Sequence, residues 1–225
     1  MTTPATTTVP TAMLARIRLN PHSKDVQRDL RDARELHRTM MRLLPPSTDA
    51  DARQAHGLLF RLETEPHATH IHLQATSTLH PDRLPPHYGH AQTKDLTPMF
   101  RALRDGIGVR YRIAANPTKR TSLPPAEKGK RGPVTPLTGA EADQWWLRQA
   151  TKAGLHLHTL LPTPLPPARR PRGKDNRPQM RHSLIRFDGT ATVTDTEALT
   201  HAVLTGIGRG KPYGAGLLSL APAPT

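Results

Sequence analysis

Twenty-four prolines run through these 225 residues, about twice the usual share, and they forbid most long helices. Proline lacks a backbone N–H and its ring clashes with the preceding turn, so it stops a helix and enters a sheet only at an edge or bulge. Short elements remain. Met13, Ala15, Ile17 and Leu19 alternate with Arg16 and Arg18, a period of two that marks a strand, and Asn20-Pro21 ends it. Val109 to Ala115 alternates in the same way and ends in Asn116-Pro117.

Between these two runs the pattern predicts a helix from about Asp32, with Asp32 and Glu35 spaced as a capping box. Its apolar face is Ala33, Leu36, Met40, Leu43 and Leu44, and Pro45-Pro46 closes it. Strands follow at 57–63 and 70–75, then a weak helical patch at 98–104. That order is β-α-β-β-α-β, the ferredoxin-like arrangement. The second half repeats it less cleanly. A basic strand is expected around 130–135 and a helix over 139–153 bearing Trp145 and Trp146. Strands near 155–161 and 183–187 flank an insertion. A turn at Asp188-Gly189, a strand at 190–193, a helix over 196–204 and a final strand complete the unit. The fold class expected is α+β, two tandem ferredoxin-like domains. Residues 1–12 read as a flexible tail, 13–118 as the first domain, 119–128 as a linker and 129–225 as the second domain. The two tryptophans read as core and inter-domain packing.

The net charge of +14 predicts an acidic partner, nucleic acid before an anionic membrane. No apolar run approaches the ~18 residues of a spanning helix. The first residues carry neither the charged nor the apolar region of a secretory signal, so a cytoplasmic protein without membrane contact is expected. The absence of cysteine excludes disulfides, zinc ribbons and thiol catalysis. His70/His72 and His156/His158 have a ligand-like spacing but sit in strand-like alternation, so no metal and no cofactor are expected. The carboxylates are scattered, with no paired set for two-metal nuclease work.

The charge is uneven. Residues 110–181 hold fifteen Lys/Arg against four Asp/Glu, densest at 168–181, where proline and charge make a poor core segment. Such a sign bias suits a loop that grips phosphates. Gly206 to Gly216 carries Arg209 and Lys211 among five glycines. It is not a Walker A loop, since Pro212 follows the lysine. Its backbone can cradle an anion, or it is simply a turn into the last strand. On the first helix, Arg34, His37, Arg38 and Arg42 project away from the apolar stripe. An imidazole titrates near neutrality and guanidinium forks pair with phosphate. The same residues also describe an ordinary solvated helix face.

In order, these pieces resemble a known family: strand ending in Asn20-Pro21, RDLRDARELHRTM around His37, RYRIAANPTKR, the tryptophan helix, and the terminal GIGRGKPYGAGLLSLAP. From about Met13 to Pro222 the chain resembles the CasE-type CRISPR repeat-processing endoribonucleases of the type I-E Cascade complex. The resemblance implies two ferredoxin-like, RRM-like domains and metal-independent cleavage of CRISPR repeat RNA at the 3′ base of its hairpin. It also implies retention of the guide RNA and association with other Cascade subunits. His37 maps to the catalytic histidine, with Arg38 after it. Arg34 stands where some members have tyrosine, and is expected to stabilise phosphate charge and favour neutral His37. The general acid is open between Lys211 and Tyr213. RNA is expected to meet Arg42, Lys119, Arg120, Lys128, Lys130 and Arg131. On the insertion it would meet Arg169, Arg170, Arg172, Lys174, Arg177 and Arg181, and on the glycine loop Gly208, Arg209 and Gly210. A competing expectation is a non-catalytic subunit that binds structured RNA and anchors the guide.

Overall fold

The computed structural model describes residues 9–46, 51–122, 132–169 and 180–223. The first strand, β1 (Met13–Leu19), buries Ala15, Ile17 and Leu19 and exposes Arg16 and Arg18. α1 (Lys24–Arg31) and α2 (Ala33–Met41) follow, then α3 (Ala52–Ala55), β2 (Leu59–Glu65), β3 (Ala68–Ala75) and β4 (Gly89–Asp95). These strands form one antiparallel sheet in the order β2-β3-β1-β4. Read from the other edge, that is the 4-1-3-2 order of a ferredoxin-like unit. Val26, Leu36, Met40, Leu43 and Leu44 pack on its Ala15–Ile17–Leu19 face.

The capping box forms only in half. Asp32 accepts from the Arg34 N–H at 2.8 Å, but its own N–H already donates to Arg28 O at the end of α1. Glu35 therefore pairs with Arg38 at 2.7 Å instead of reaching back. α1 itself has no expected counterpart: it buries only Val26 and Asp29 and so leaves little apolar period to read.

α4 (Thr97–Ala102) leads to β5 (Gly108–Ala115), and here the expected boundary is corrected. β5 belongs to the second sheet, whose order is β11-β5-β10-β8. Its strands are β8 (Leu155–Leu157), β10 (Arg181–Val193) and β11 (Leu218–Pro222), with α5 (Gly139–Lys152) and α6 (Thr196–Thr205) as crossovers. In its own sequence order this too is 4-1-3-2. β9 (Leu161–Arg169) pairs with β10 as an added arm, and β6 (Thr118–Arg120) with β7 (Val134–Pro136) makes a small separate hairpin. The units therefore divide between Asp95 and Gly108, not at 119–128. The first unit's fourth strand is β4, which shows almost no apolar residue because it is an exposed edge.

Two more expectations change. No turn occurs at Asp188-Gly189, because β10 runs straight through it. A Cβ on Gly189 would meet Thr159 O and the Tyr111 hydroxyl, so this glycine serves a close approach. The tail reading fails at Ala12, which is 2% exposed and whose carbonyl accepts from the Leu96 N–H. Trp146 is fully buried, stacked on Phe187 and tilted against Tyr111, as a core residue should be. No helix among the described residues is long and apolar enough to cross a membrane.

Candidate active site

The glycine segment is wedged between the units. Its ends are tied by Ile207 N–H to Gly216 O at 3.0 Å and Gly216 N–H to Ala114 O at 2.7 Å. Gly206 has φ +74, and a Cβ there would sit 2.6 Å from Leu59 Cδ2 on β2. Only glycine meets both demands. The 3₁₀ turn Lys211–Tyr213 at the loop's centre packs against α2 and β2. The helix that carries His37 and the glycine loop, at opposite ends of the chain, thus meet.

His37 is half-buried on α2, and its Nδ1 is buried without a hydrogen-bond partner among the described residues. Burial lowers its pKa below the usual imidazole value, and the Arg53 guanidinium lowers it further. Arg53, on α3, donates to Leu58 O at 3.1 Å and is itself held down by burial. Lys211 is lowered by burial and then by the same Arg53. One guanidinium thus acts on both the imidazole and the ammonium. Nothing in the local sequence pattern points to Arg53. The expected partners of His37 are corrected. Arg34 is exposed and its side chain makes no hydrogen bond among the described residues, its backbone N–H donating to Asp32, and the cation that favours neutral His37 is Arg53. Arg38 is exposed and held by Glu35, and Arg42 is exposed just past the helix end. His37 does not face outward with these arginines but lies partly enclosed.

A second cluster flanks the loop. Asn116 is 3% exposed, and its Nδ2 lies 2.9 Å from His182 Nδ1. The His182 ring stacks on Tyr213 at 5.1 Å between centroids and 21° between planes. Asn116 Nδ2 donates, so His182 Nδ1 accepts and its other nitrogen carries the proton. Burial and then Arg209 lower the His182 pKa. Tyr213 is therefore fixed by stacking. In the sequence, the asparagine of the second Asn-Pro pair marks a strand end and nothing more.

A cleft of about 680 Å³ opens beside this centre, between α1–α2, β2 and the β9–β10 arms, lined by Leu36, Phe60, Arg169, Arg186 and Tyr213 among others. Arg169 and Arg181 are Cα partners at the tip of the arms. Lys119 and Arg120 stand apart on β6, Lys119 paired with Glu141 at 2.7 Å and Arg120 donating to Gly132 O. Gly208 is exposed over Trp145, and Arg209 is exposed beside it. Lys128, Lys130, Arg131, Arg170, Arg172, Lys174 and Arg177 lie outside the described residues. No group of three His, Asp or Glu among the described residues is placed to hold a metal ion. His70 accepts from Arg16, and His158 bonds Thr192. A neutral imidazole beside a part-buried ammonium and a guanidinium can remove one proton, supply another and stabilise an anion between them.

Comparison with known proteins gives the arrangement its setting. The family model described as "CRISPR associated protein" matches residues 13–222. The CRISPR-associated endoribonuclease Cse3 of Thermus thermophilus is 30% identical over 93% of this chain and 99% of its own length. The CRISPR system Cascade subunit CasE of Escherichia coli is 29% identical over 85% of this chain and 93% of that protein. The solved structure of Thermus thermophilus Cse3 bound to an RNA representing a pre-cleavage complex superposes with a TM-score of 0.77 at 27% identity. It covers 94% of this chain and all of the other. The chain belongs to the CRISPR associated protein family, in the CasE-type group that contains Cse3 and CasE.

Proposed function

We propose that this protein is a metal-independent endoribonuclease that cuts CRISPR precursor RNA at the 3′ base of each repeat stem-loop. It keeps the guide RNA and carries it into the Cascade complex, in the cytoplasm. The observation that carries the reading is the convergence of His37, Arg53 and Lys211 on one glycine turn. The relatives named as an endoribonuclease and as a Cascade subunit support the substrate and partner classes.

Neutral His37 takes the proton of the ribose 2′-OH, and the 2′ oxygen attacks the adjacent phosphorus. Arg53 and the exposed N–H groups of the loop balance charge on the phosphorane. The bond to the 5′ oxygen breaks as Lys211 donates a proton to it, leaving a 2′,3′-cyclic phosphate and a 5′-hydroxyl. The lowered Lys211 pKa makes it a better donor than an ordinary lysine. Tyr213, stacked on His182, holds the turn that presents Lys211. Arg34 and Arg38 lie on the solvent side of α2 and meet RNA phosphates there. Arg169 and Arg181 grip the stem from the β9–β10 arms through shape and phosphate contacts that survive cleavage.

The test uses cognate repeat RNA in EDTA, intact or with a single deoxyribose at the cut site, and wild-type or His37→Ala protein. Cleavage that requires both the 2′-OH and His37 supports the enzyme. Tight binding with no cleavage by the wild type makes the protein a guide-anchoring subunit instead.

A further inference from the structure

The alternation of β1 puts Arg16 and Arg18 on the face of the first sheet opposite α1 and α2. Register sets Arg18 between His70 on β3 and His90 on β4, and Arg16 between His72 and Gln92. Arg16, Arg18, Ala68, His70, His90 and Gln92 line a concavity of about 350 Å³. The second unit covers the far part of the same face, where Arg61 donates to Leu217 O and Gln74 to Val203 O. The concavity lies beyond that seam, separated from His37 by the sheet itself.

Its chemistry is that of an anion site. His70 is 4% exposed, and its Nε2 lies 3.1 Å from Arg16 Nη2. A guanidinium only donates, so Nε2 accepts and the proton sits on Nδ1. That nitrogen is buried with no hydrogen-bond partner among the described residues. The nearest acid, Glu65, is 3.9 Å away and more than half exposed. The Arg18 guanidinium makes no hydrogen bond among the described residues. Two guanidiniums, the His90 imidazole and the Gln92 amide offer donors around one hollow, with no competing carboxylate in the lining. No phenylalanine, tyrosine or tryptophan lines it, so it has no large aromatic platform for stacking bases.

We infer that this sheet face is a second RNA site, which holds phosphodiester groups of single-stranded RNA flanking the hairpin. Naming RNA as the ligand rests on the function proposed above, whereas the anion chemistry does not. The backbone is gripped without base identity, because the available groups match phosphate oxygens.

The experiment measures binding of labelled hairpin RNA alone, with a ten-nucleotide 5′ extension, and with a 3′ extension, across a salt series. The increment from each extension is taken within each protein, so hairpin affinity cancels. In the wild type at least one extension should tighten binding and steepen the salt slope by about 1.4, as two single-strand phosphates would. Arg18→Gln should remove about half of that slope and weaken the extension's benefit several-fold. Arg16→Gln should do the same, with its melting temperature checked because Arg16 also holds His70. Equal increments in wild type and both variants overturn the inference, as does no increment in the wild type. Binding of oligouridylate alone is read in parallel. Weaker binding and a shallower salt slope in Arg18→Gln support the site even if hairpin cleavage fails, and an affinity and slope equal to those of the wild type overturn the RNA assignment.

Discussion

At the residue scale, the enclosure of His37 sets its pH behaviour. Burial is the larger cause of its lowered pKa and Arg53 the second. In free protein the acid limb of kcat/KM should therefore fall below the ordinary imidazole value of about 6.5. Arg53→Ala removes one cation, so that limb should move upward while staying depressed, and the plateau should drop by roughly 10- to 100-fold as charge stabilisation is lost. Arg53→Lys should restore the limb more than the plateau, because an ammonium keeps the charge and loses the fork. His37→Ala should lower the plateau by about 10²- to 10⁴-fold. A pH–rate profile of the three variants reads all of this, and an unmoved limb in Arg53→Ala sinks the coupling. His37 is legible in the sequence because it sits off the apolar stripe of a strongly patterned helix. Arg53 is not, because its proximity to His37 and Lys211 is set by tertiary placement of a single four-residue helix.

At the element scale, two glycines of positive φ differ in what a side chain would meet. Gly106 has φ +86 and open space within 4 Å of where a Cβ would stand, whereas Gly206 has φ +74 and meets Leu59 and Gly216 O. Gly106→Ala should cost about 1 kcal/mol of backbone strain alone. Gly206→Ala combines a steric clash with a backbone, φ +74 and ψ 160, that is nearly reserved for glycine, and should cost about 2–4 kcal/mol in all. It should also slow cleavage, since it displaces the loop against β2. Chemical denaturation of both variants, followed by cleavage assays, distinguishes these outcomes. Equal losses would mean the loop is not wedged. The alternating strands β1 and β5 are readable because each buries one face. α1 and β4 are not, since each buries little. The misplacement of β5 in the first unit has a different cause: periodicity identifies a strand but not its neighbour, and chain order alone favours the first sheet.

At the scale of the whole molecule, charge joins the two units. Arg61 is 2% exposed and donates to Leu217 O, Ser219 Oγ and Arg112 O across the seam. It pairs with Glu63 at 2.7 Å, Glu63 with Arg112 at 3.3 Å, and Arg112 with Asp188, which also holds Arg186. Burial pulls the Arg61 pKa down against the opposing pull of Glu63. Glu63 titrates below the usual carboxylate range because Arg61, His72 and Arg112 outweigh its burial. Glu63→Gln removes the carboxylate paired directly with Arg61 and should cost about 3 kcal/mol, seen as a lower denaturation midpoint. The same linkage fixes the response to acid. His37, His72 and His182 all have lowered folded values, burial first in each case. As pH falls below about 6.5 the unfolded chain binds protons before the folded one, so stability declines with falling pH. Glu63 acts in the same direction at lower pH: its contribution is present above about 4.3 and is lost as pH falls through its depressed folded value. Melting temperature should therefore fall from pH 7.5 to pH 5 and fall again toward pH 3. His72→Gln should flatten the upper part of that curve and, because His72 also helps to hold Glu63 down, ease the lower part to a lesser degree, Arg61 and Arg112 still acting there. A melting temperature that holds constant from pH 7.5 to pH 5 would mean that these three imidazoles are not held neutral by the fold.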